Sequence, residues 1–302
     1  MELCSETFFP RRLKIRTNQT RRHYRYAITA FARFLGHAPA LEDLNDDTVT
    51  LWLGDLLTRG EQPDTLRSVG TAASKVARIL TLWRFLASRR LVELFPTVEL
   101  PSSPEPVPVA LDEPQLIRLF EAAQCRPGFV CGVPARYWWP ALFGFVFSTS
   151  ERRGGTFATR WEWVSLENHV AVIPAAVRKG KRKTATYPLW DEVCWLLSRI
   201  IEPRRELVFP WDKSETTFYH HYGRILVDAQ LPNDRRHKLQ CLRVSHNTWH
   251  KVMTGQHSPL LMHSSSRTSE RHYEDRRFTT PPPSKLFIPW QQPPPNDLPP
   301  AA

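Results

Sequence analysis

Apolar residues recur at helical spacing in three stretches of the first 90 residues. In the first stretch they are Tyr24, Ile28, Phe31 and Leu35. Gly36 comes next and is a residue type that commonly ends helices. The second stretch runs from near Asp46 to Gly60, and the third follows Pro63-Asp64. These patterns predict a small all-helical domain over residues 1–95.

A proline-rich segment separates this domain from the next one. Five prolines lie between Phe95 and Asp112, a composition that favours an extended connector over residues 96–111. Asp112 is then a suitable helix N-cap, with Pro114 in the first turn. The predicted buried side of this helix consists of Leu116, Ile117, Leu119 and Phe120. A very apolar segment over residues 137–147 predicts a central helix of a second domain over residues 112–280.

The period of the pattern changes between residues 163 and 189. Residues 169–173 and 184–189 are strand-like, and a basic turn lies between them. Helical spacing resumes after Asp191 and again from Thr216 to Leu231. The predicted fold class is therefore mainly α, with an α+β second domain that contains a small antiparallel sheet.

The residues after Thr280 contain nine of the 27 prolines, which is too many for a packed element. Residues 281–302 therefore form a proline-rich tail with two interpretations. It is either a disordered end or a segment that docks on a neighbouring subunit through its apolar residues 286–290.

The net charge of +11 and the pI near 9.7 favour a polyanionic partner, with nucleic acid ahead of a membrane surface. No run approaches ~18 consecutive apolar residues, and the first residues lack the pattern of a secretion signal. We expect a cytoplasmic protein. The five cysteines are scattered and odd in number, so we expect reduced thiols. His246 and His250 have no convincing further ligands, and there is no nucleotide-binding glycine motif, so no metal or cofactor is expected.

Five segments of the second domain resemble the motifs of tyrosine recombinases, the phage-integrase family, in the same chain order. Thr149-Ser150-Glu151-Arg152 and the following turn to Arg160-Trp161 resemble the family's first arginine segment. The other four are the basic turn with Lys179, the pair Leu242-Arg243, the turn Met262-His263-Ser264-Ser265, and residues 268–273 ending in Tyr273. The resemblance spans roughly residues 17–277. It implies a SAM-like core-binding domain at the N-terminus and a mostly helical catalytic domain.

The resemblance also implies a role for each matching residue. Arg152 and Arg243 are expected to bind the scissile phosphate, because a guanidinium is bidentate and stays protonated. Lys179 is expected to act as general acid toward the leaving 5′ oxygen, with Lys181 as the alternative on the same turn. His263 is expected to lie against the phosphate. Tyr273 is expected to be the nucleophile that forms a 3′-phosphotyrosyl bond, which needs no cofactor.

The second arginine segment allows two alignments. With Arg243 as the arginine, Gln240 stands where the family has histidine. With the register set by His237, Gln240 replaces the arginine itself. We favour Arg243, because Leu242-Arg243 matches the start of the family's helix. In either case one expected residue is glutamine, which can donate a hydrogen bond but cannot transfer a proton.

The sequence thus predicts site-specific DNA recombination or integration through a tyrosine nucleophile. One alternative is a DNA-binding protein of the same fold that has lost catalysis, which Gln240 and the atypical Met262 favour. A second is DNA relaxation of the type IB topoisomerase kind. The expected partners are double-stranded DNA and further copies of the chain in a tetrameric synapse, with accessory DNA-bending proteins left open. The target sequence and the direction of the reaction are also left open.

Overall fold

A computed structural model describes residues 18–58, 69–102, 107–178, 183–202, 204–261 and 266–280. The chain divides into two compact units, Met1–Glu105 and Pro106–Ala302. The division falls inside the proline-rich range 96–111. The proline-rich tail over residues 281–302 and the cations of residues 9–17 lie outside the described residues.

The described part of the first unit contains the three predicted helices: α1 (Asn18–Leu35), α2 (Asp46–Thr58) and α3 (Val69–Ala87). Gly36 ends α1 with a left-handed φ of 80°, a conformation that glycine adopts without strain. The helices pack around a single apolar core, in which the Phe31 and Trp52 ring centroids lie 4.9 Å apart. The helical stripes in the sequence are therefore the core of this unit.

Both ends of the proline-rich segment are packed, each on its own unit. Val98 packs on the core of the first unit, and the Thr97 amide donates to Asp46 Oδ1 at 3.0 Å. Ala110 and Leu111 are buried in the second unit, and the Leu111 amide donates to Ser245 Oγ at 2.8 Å. The extended segment is thus anchored near each end by side chains of the unit that it adjoins.

The second unit is built around α5 (Ala135–Thr149), in which 12 of 15 residues are buried. The preceding α4 (Glu113–Gln124) begins as predicted, because the Asp112 side chain and the Gln115 side chain cap each other's backbone amides. Leu119 is fully buried, and Leu116 and Phe120 pack against the core. The prediction for Ile117 was wrong: its side chain is 50% exposed, because the position lies at the edge of the apolar stripe.

A three-stranded antiparallel sheet lies in the middle of this unit, in the order β3 (Val164–Ser165), β4 (Val170–Ile173), β5 (Ala185–Pro188). Strands β4 and β5 are the predicted pair, and their register places Ala171 opposite Tyr187. Alternate residues of both strands are buried, as in a sheet with one covered face. The short strand β3 and the hairpin of β1 (Phe129–Val130) and β2 (Val133–Pro134) were not predicted, since two-residue strands leave no alternation to read.

The remaining helices lie on either side of the sheet in the chain. They are α6 (Arg153–Phe157, before the sheet in the chain), α7 (Asp191–Ser198), α8 (Glu215–Asp228), α9 (Gln240–Thr254), α10 (Ser266–Tyr273) and α11 (Arg276–Thr279). Helix α9 contacts α5, α10 and α11. It therefore joins the central helix to the C-terminal helices, and most of the candidate site lies along this junction.

Candidate active site

Arg243 lies in the first turn of α9 and is almost completely buried, with 2% of its surface exposed. Its guanidinium carbon is 5.0 Å from the centroid of the Tyr273 ring. Two of its nitrogens, Nε and Nη2, are buried and have no hydrogen-bond partner among the described residues. Buried polar groups of a folded protein are almost always paired, so these two donors on one guanidinium are available to a bound acceptor.

Tyr273 is the last residue of α10 and has 8% of its surface exposed. Burial by itself raises the pKa of its phenol. The positive charges of Arg243 and Arg152 and hydrogen bonds with Arg243 and Gln240 outweigh burial, so the pKa lies below its ordinary value. A lower pKa increases the phenolate fraction at a given pH, and phenolate is the nucleophilic form.

Arg152 precedes α6 and occupies its N-cap position, with extended φ and ψ of −73° and 151°. The chain reaches this position through a sharp turn, because Ser150 ends α5 in a left-handed conformation with φ of 52°. Arg152 is half-buried, and its charge acts on both Tyr273 and Arg243. The two arginines of the predicted clamp and the tyrosine are thus brought together.

Glu151, beside Arg152, is the centre of a buried ionic network. Its Oε2 accepts from Arg178 Nε at 2.6 Å and from the Tyr187 hydroxyl at 2.6 Å. Its Oε1 accepts from the Arg152 amide at 2.6 Å. Burial and the Glu151 charge raise the pKa of Tyr187, so its hydroxyl keeps its proton as a donor. The network joins the loop that carries Arg152 to Arg178, in the β4–β5 connection, and to Tyr187 of β5.

Lys179 and Lys181 lie outside the described residues, as does His263 with Met262. The described residues on either side of the first two are held together, because Arg178 Nη1 donates to the Lys183 carbonyl oxygen at 3.0 Å. Arg178 and Lys183 are thus one hydrogen bond apart, and Arg178 also binds Glu151.

The two alignments of the second arginine segment place different residues near the tyrosine. Gln240 is the first residue of α9, and its side chain hydrogen-bonds the Tyr273 hydroxyl. His237 is buried and turned to Asp234, with Nδ1 2.8 Å from Asp234 Oδ1. The geometry therefore brings Gln240 and Arg243 to Tyr273, and His237 belongs to the turn before the helix.

Sequence reasoning missed the carboxylates that organise this site. Glu151 is part of the first motif but was given no role, although a carboxylate directly after a very apolar helix and beside an arginine was a usable signal. Arg178, at the start of the basic turn, was given no role either. Glu274 and Asp275 are 5% and 1% exposed, and nothing in their sequence context marks them as buried.

Two further properties bear on the kind of site. In the described part of the chain, no three histidine, cysteine, aspartate or glutamate side chains lie together as metal ligands. His246 bonds instead to Ser258, with Nε2 2.8 Å from Oγ. None of the described helices is long and apolar enough to cross a membrane.

No protein-family model matches the sequence, and no curated protein matches it. Solved structures do match. A lambda integrase dimer bound to a COC′ core site is similar, with a TM-score of 0.66 and 16% identity over 90% of this chain and 93% of that chain. A lambda integrase tetramer bound to a Holliday junction gives a TM-score of 0.61 and 16% identity. The match covers 90% of this chain and 75% of that chain.

The XerH site-specific recombinase in a post-cleavage complex with its difH substrate gives a TM-score of 0.64 and 17% identity. The match covers 86% of this chain and 76% of that chain. The chain therefore has the fold of the tyrosine recombinases, mostly helical with small antiparallel sheets, as the resemblance implied.

Proposed function

We propose that this protein is a tyrosine recombinase that cleaves one strand of duplex DNA with Tyr273 and joins it to a partner strand. The observation that carries the proposal is the buried Arg243, whose Nε and Nη2 lack acceptors while its guanidinium lies 5.0 Å from the Tyr273 ring. A phosphate that accepts from both nitrogens is held next to the phenol. Two charge-assisted hydrogen bonds would also stabilise the charge that develops on the phosphate oxygens in the transition state.

In the proposed reaction the Tyr273 phenol gives up its proton to water, its oxygen attacks phosphorus, and the bond between phosphorus and the 5′ oxygen breaks. A 3′-phosphotyrosyl bond forms, and the leaving oxygen takes up a proton. Lys179 is our candidate donor, with Lys181 as the alternative, and the anchoring of Arg178 beside Glu151 supports a donor in this connection. Rejoining reverses the same steps with the 5′ hydroxyl of another strand, so no cofactor is consumed. His263 is our candidate for a further phosphate contact.

Gln240 has a narrower role in this proposal. It can donate a hydrogen bond to the tyrosine oxygen or to a phosphate oxygen, but it transfers no proton. This position favours a second candidate function, a protein that binds DNA through the same fold without cleaving it. The two functions differ in one observable, the covalent bond between Tyr273 and DNA.

The proposed partners are duplex DNA and other copies of the chain. Residues 1–95 are proposed as the core-binding domain and residues 112–280 as the catalytic domain, each contacting the duplex. The basic net charge of +11 supports duplex DNA as a partner, and the lambda integrase tetramer on a Holliday junction supports a tetrameric synapse. Accessory DNA-bending proteins remain a separate proposal, which a reconstituted reaction with purified protein tests directly.

The test is the detection of a covalent protein–DNA adduct on denaturing gels. Nicked duplexes drawn from the DNA that flanks the gene serve as substrates, because the nick lets the cleaved fragment diffuse away and traps the adduct. We expect an adduct with the natural chain and none with Tyr273→Phe. Tyr219→Phe is the matched control, since it removes another partly buried hydroxyl of the same unit.

Three outcomes separate the candidates. An adduct that Tyr273→Phe abolishes, followed by strand-transfer products with two sites, supports the recombinase. An adduct on the nicked duplexes, together with relaxation of a supercoiled plasmid and no strand-transfer products, indicates DNA relaxation. Specific binding without any adduct indicates the non-cleaving protein and contradicts our proposal.

A further inference from the structure

Three buried side chains of the second unit form a closed ring of hydrogen bonds. Glu151 Oε2 accepts from Arg178 Nε and from the Tyr187 hydroxyl, each at 2.6 Å. Arg178 Nη2 completes the ring by donating to the Tyr187 hydroxyl oxygen at 3.0 Å. Glu151 is 1% exposed, Tyr187 is fully buried and Arg178 is 8% exposed. Each member contacts the other two away from solvent, so the carboxylate has few alternative arrangements.

The same carboxylate also binds the backbone at Arg152. Its second oxygen, Oε1, accepts from the Arg152 amide at 2.6 Å. Hydrogen bonds to an ionised carboxylate are stronger than neutral ones. Because Arg178 follows β4 and Tyr187 lies in β5, the carboxylate connects the sheet directly to the residue whose charge acts on Tyr273.

The local sequence around Arg152 supplies little rigidity of its own. Helix α6 is five residues long and contains Gly154 and Gly155, and glycine is the least favourable helix residue after proline. Arg152 occupies the N-cap position of α6, but its side chain makes no capping hydrogen bond. The direction of Arg152 therefore depends on the Glu151 carboxylate more than on the helix that follows.

Gly155 leaves free the space that this carboxylate occupies. A Cβ atom at residue 155 would lie 2.9 Å from Glu151 Oε1. A side chain that begins at residue 155 would therefore enter the same space from α6. Two positions of the chain, 151 and 155, thus have access to one place beside Arg178 and Tyr187.

We infer that Glu151 is a positioning residue that acts with Arg178 and Tyr187 to hold Arg152 toward the scissile phosphate, and that a carboxylate attached at residue 155 would serve equally. This inference rests on the proposed function. It adds three residues outside the predicted site that decide whether Arg152 can act.

A different role for Glu151 would be to weaken the positive charge around Tyr273, since its charge also acts on Arg243. The two roles predict opposite changes when the carboxylate is neutralised. Without a counter-charge, the Tyr273 phenol would ionise more readily and adduct formation would become faster. Without a positioning contact, Arg152 would leave its place and adduct formation would become slower.

The first experiment measures single-turnover adduct formation at saturating DNA for Glu151→Gln, Arg178→Met and Tyr187→Phe. We expect the rate to fall by about 10- to 100-fold in the first two variants, because a misplacement of about 1 Å has an effect of this order. Tyr187→Phe keeps the ring and removes one hydrogen bond to Oε2, so its loss should be about fivefold. Glu206→Gln is the matched control, because Glu206 is an exposed carboxylate that pairs with Arg160, and its rate should stay within about twofold of the natural chain.

The second experiment moves the carboxylate. Glu151→Ala combined with Gly155→Glu removes the group from one residue and supplies it from the other. We expect this double variant to form adduct at least about 10-fold faster than Glu151→Ala alone. Glu151→Ala combined with Gly155→Gln is the control, since it has the same size without the charge and should not restore the rate. A role in stability alone would make every rate follow the unfolding midpoint of its variant, which thermal unfolding measures in parallel.

The outcomes separate this inference from the proposed function. Unchanged or faster adduct formation in Glu151→Gln would overturn the inference, as would equal rates in Glu151→Ala and in the double variant with Gly155→Glu. If the variants of Glu151 do not fold, Tyr187→Phe decides, and a loss no larger than that of Glu206→Gln overturns the inference. The natural chain is run alongside: its failure to form adduct would contradict the proposed function, and the inference with it.

Discussion

The two units of the chain differ in what they bury. Within the described residues of the first unit every buried side chain is apolar. The second unit buries Glu151, Arg178, Arg243 and Glu274 in addition to its apolar core. A charge inside a protein costs free energy unless it is paired, and even a paired one rarely improves stability. The first unit is thus stabilised by apolar packing between helices. In the second unit, buried charged side chains around Tyr273 lower the stability below that of an apolar core.

The strongest test of this contrast is Arg243→Met. We expect adduct formation to fall by about 10³- to 10⁵-fold, the range found when an arginine that stabilises a phosphoryl transition state is removed. We expect the free energy of unfolding to stay within about 1 kcal/mol or to rise, because the variant removes a buried charge with two unpaired nitrogens. Adduct assays and thermal unfolding measure the two effects.

Arg236→Met is the control for that variant, since Arg236 precedes the same helix with 60% of its side chain exposed. A loss of more than about 3 kcal/mol of stability in Arg243→Met would mean that the arginine is a structural residue, because breaking a structural buried pair has a cost of this size.

Trp52→Ala examines the other side of the contrast. Trp52 is fully buried against Phe31 in the first unit, so its truncation should lower the free energy of unfolding of that unit by about 3 to 5 kcal/mol. Denaturant unfolding measures the change. Leu51→Ala is the matched control, because Leu51 is 67% exposed on the same helix and its loss should change stability by less than about 0.5 kcal/mol. Equal effects at the two positions would contradict the core that we describe.

Mild acid should affect the second unit through His246. Burial lowers the pKa of this histidine from 6.5 to about 4. The unfolded chain takes up a proton near pH 6.5, whereas the folded chain does so only near pH 4. Stability therefore falls as the pH decreases across this window, by up to about 1.4 kcal/mol per pH unit. Denaturant unfolding at pH 7 and pH 5 measures how the free energy of unfolding changes with pH. His246→Gln should remove the part of this change that is due to His246. Identical slopes in both chains would contradict a buried neutral histidine.

The same contrast explains what the sequence could predict. The first unit is organised by apolar spacing alone, and its three helices were found from Phe31, Trp52 and their neighbours. Arg243 and Tyr273 were found through motifs, and the geometry brings them together. The network of Glu151 with Arg178 and Tyr187 was not found, because it joins residues 27 and 36 positions apart whose proximity depends on the completed sheet. Burial of a charged side chain depends on the tertiary structure, so the spacing of apolar residues along the sequence does not predict it.

Gly155 adds a consequence for how this sequence can vary. A Cβ atom at this position would lie 2.8 Å from Cγ and from Cδ of Glu151, closer than real Cβ atoms approach. The carboxylate fills the space that any side chain at residue 155 would need. The residues at positions 151 and 155 therefore constrain each other. A descendant that acquires a side chain at residue 155 must also change residue 151. Whichever substitution comes first disturbs the loop that carries Arg152. Among descendants of this chain we expect the two positions to be exchanged together or retained together.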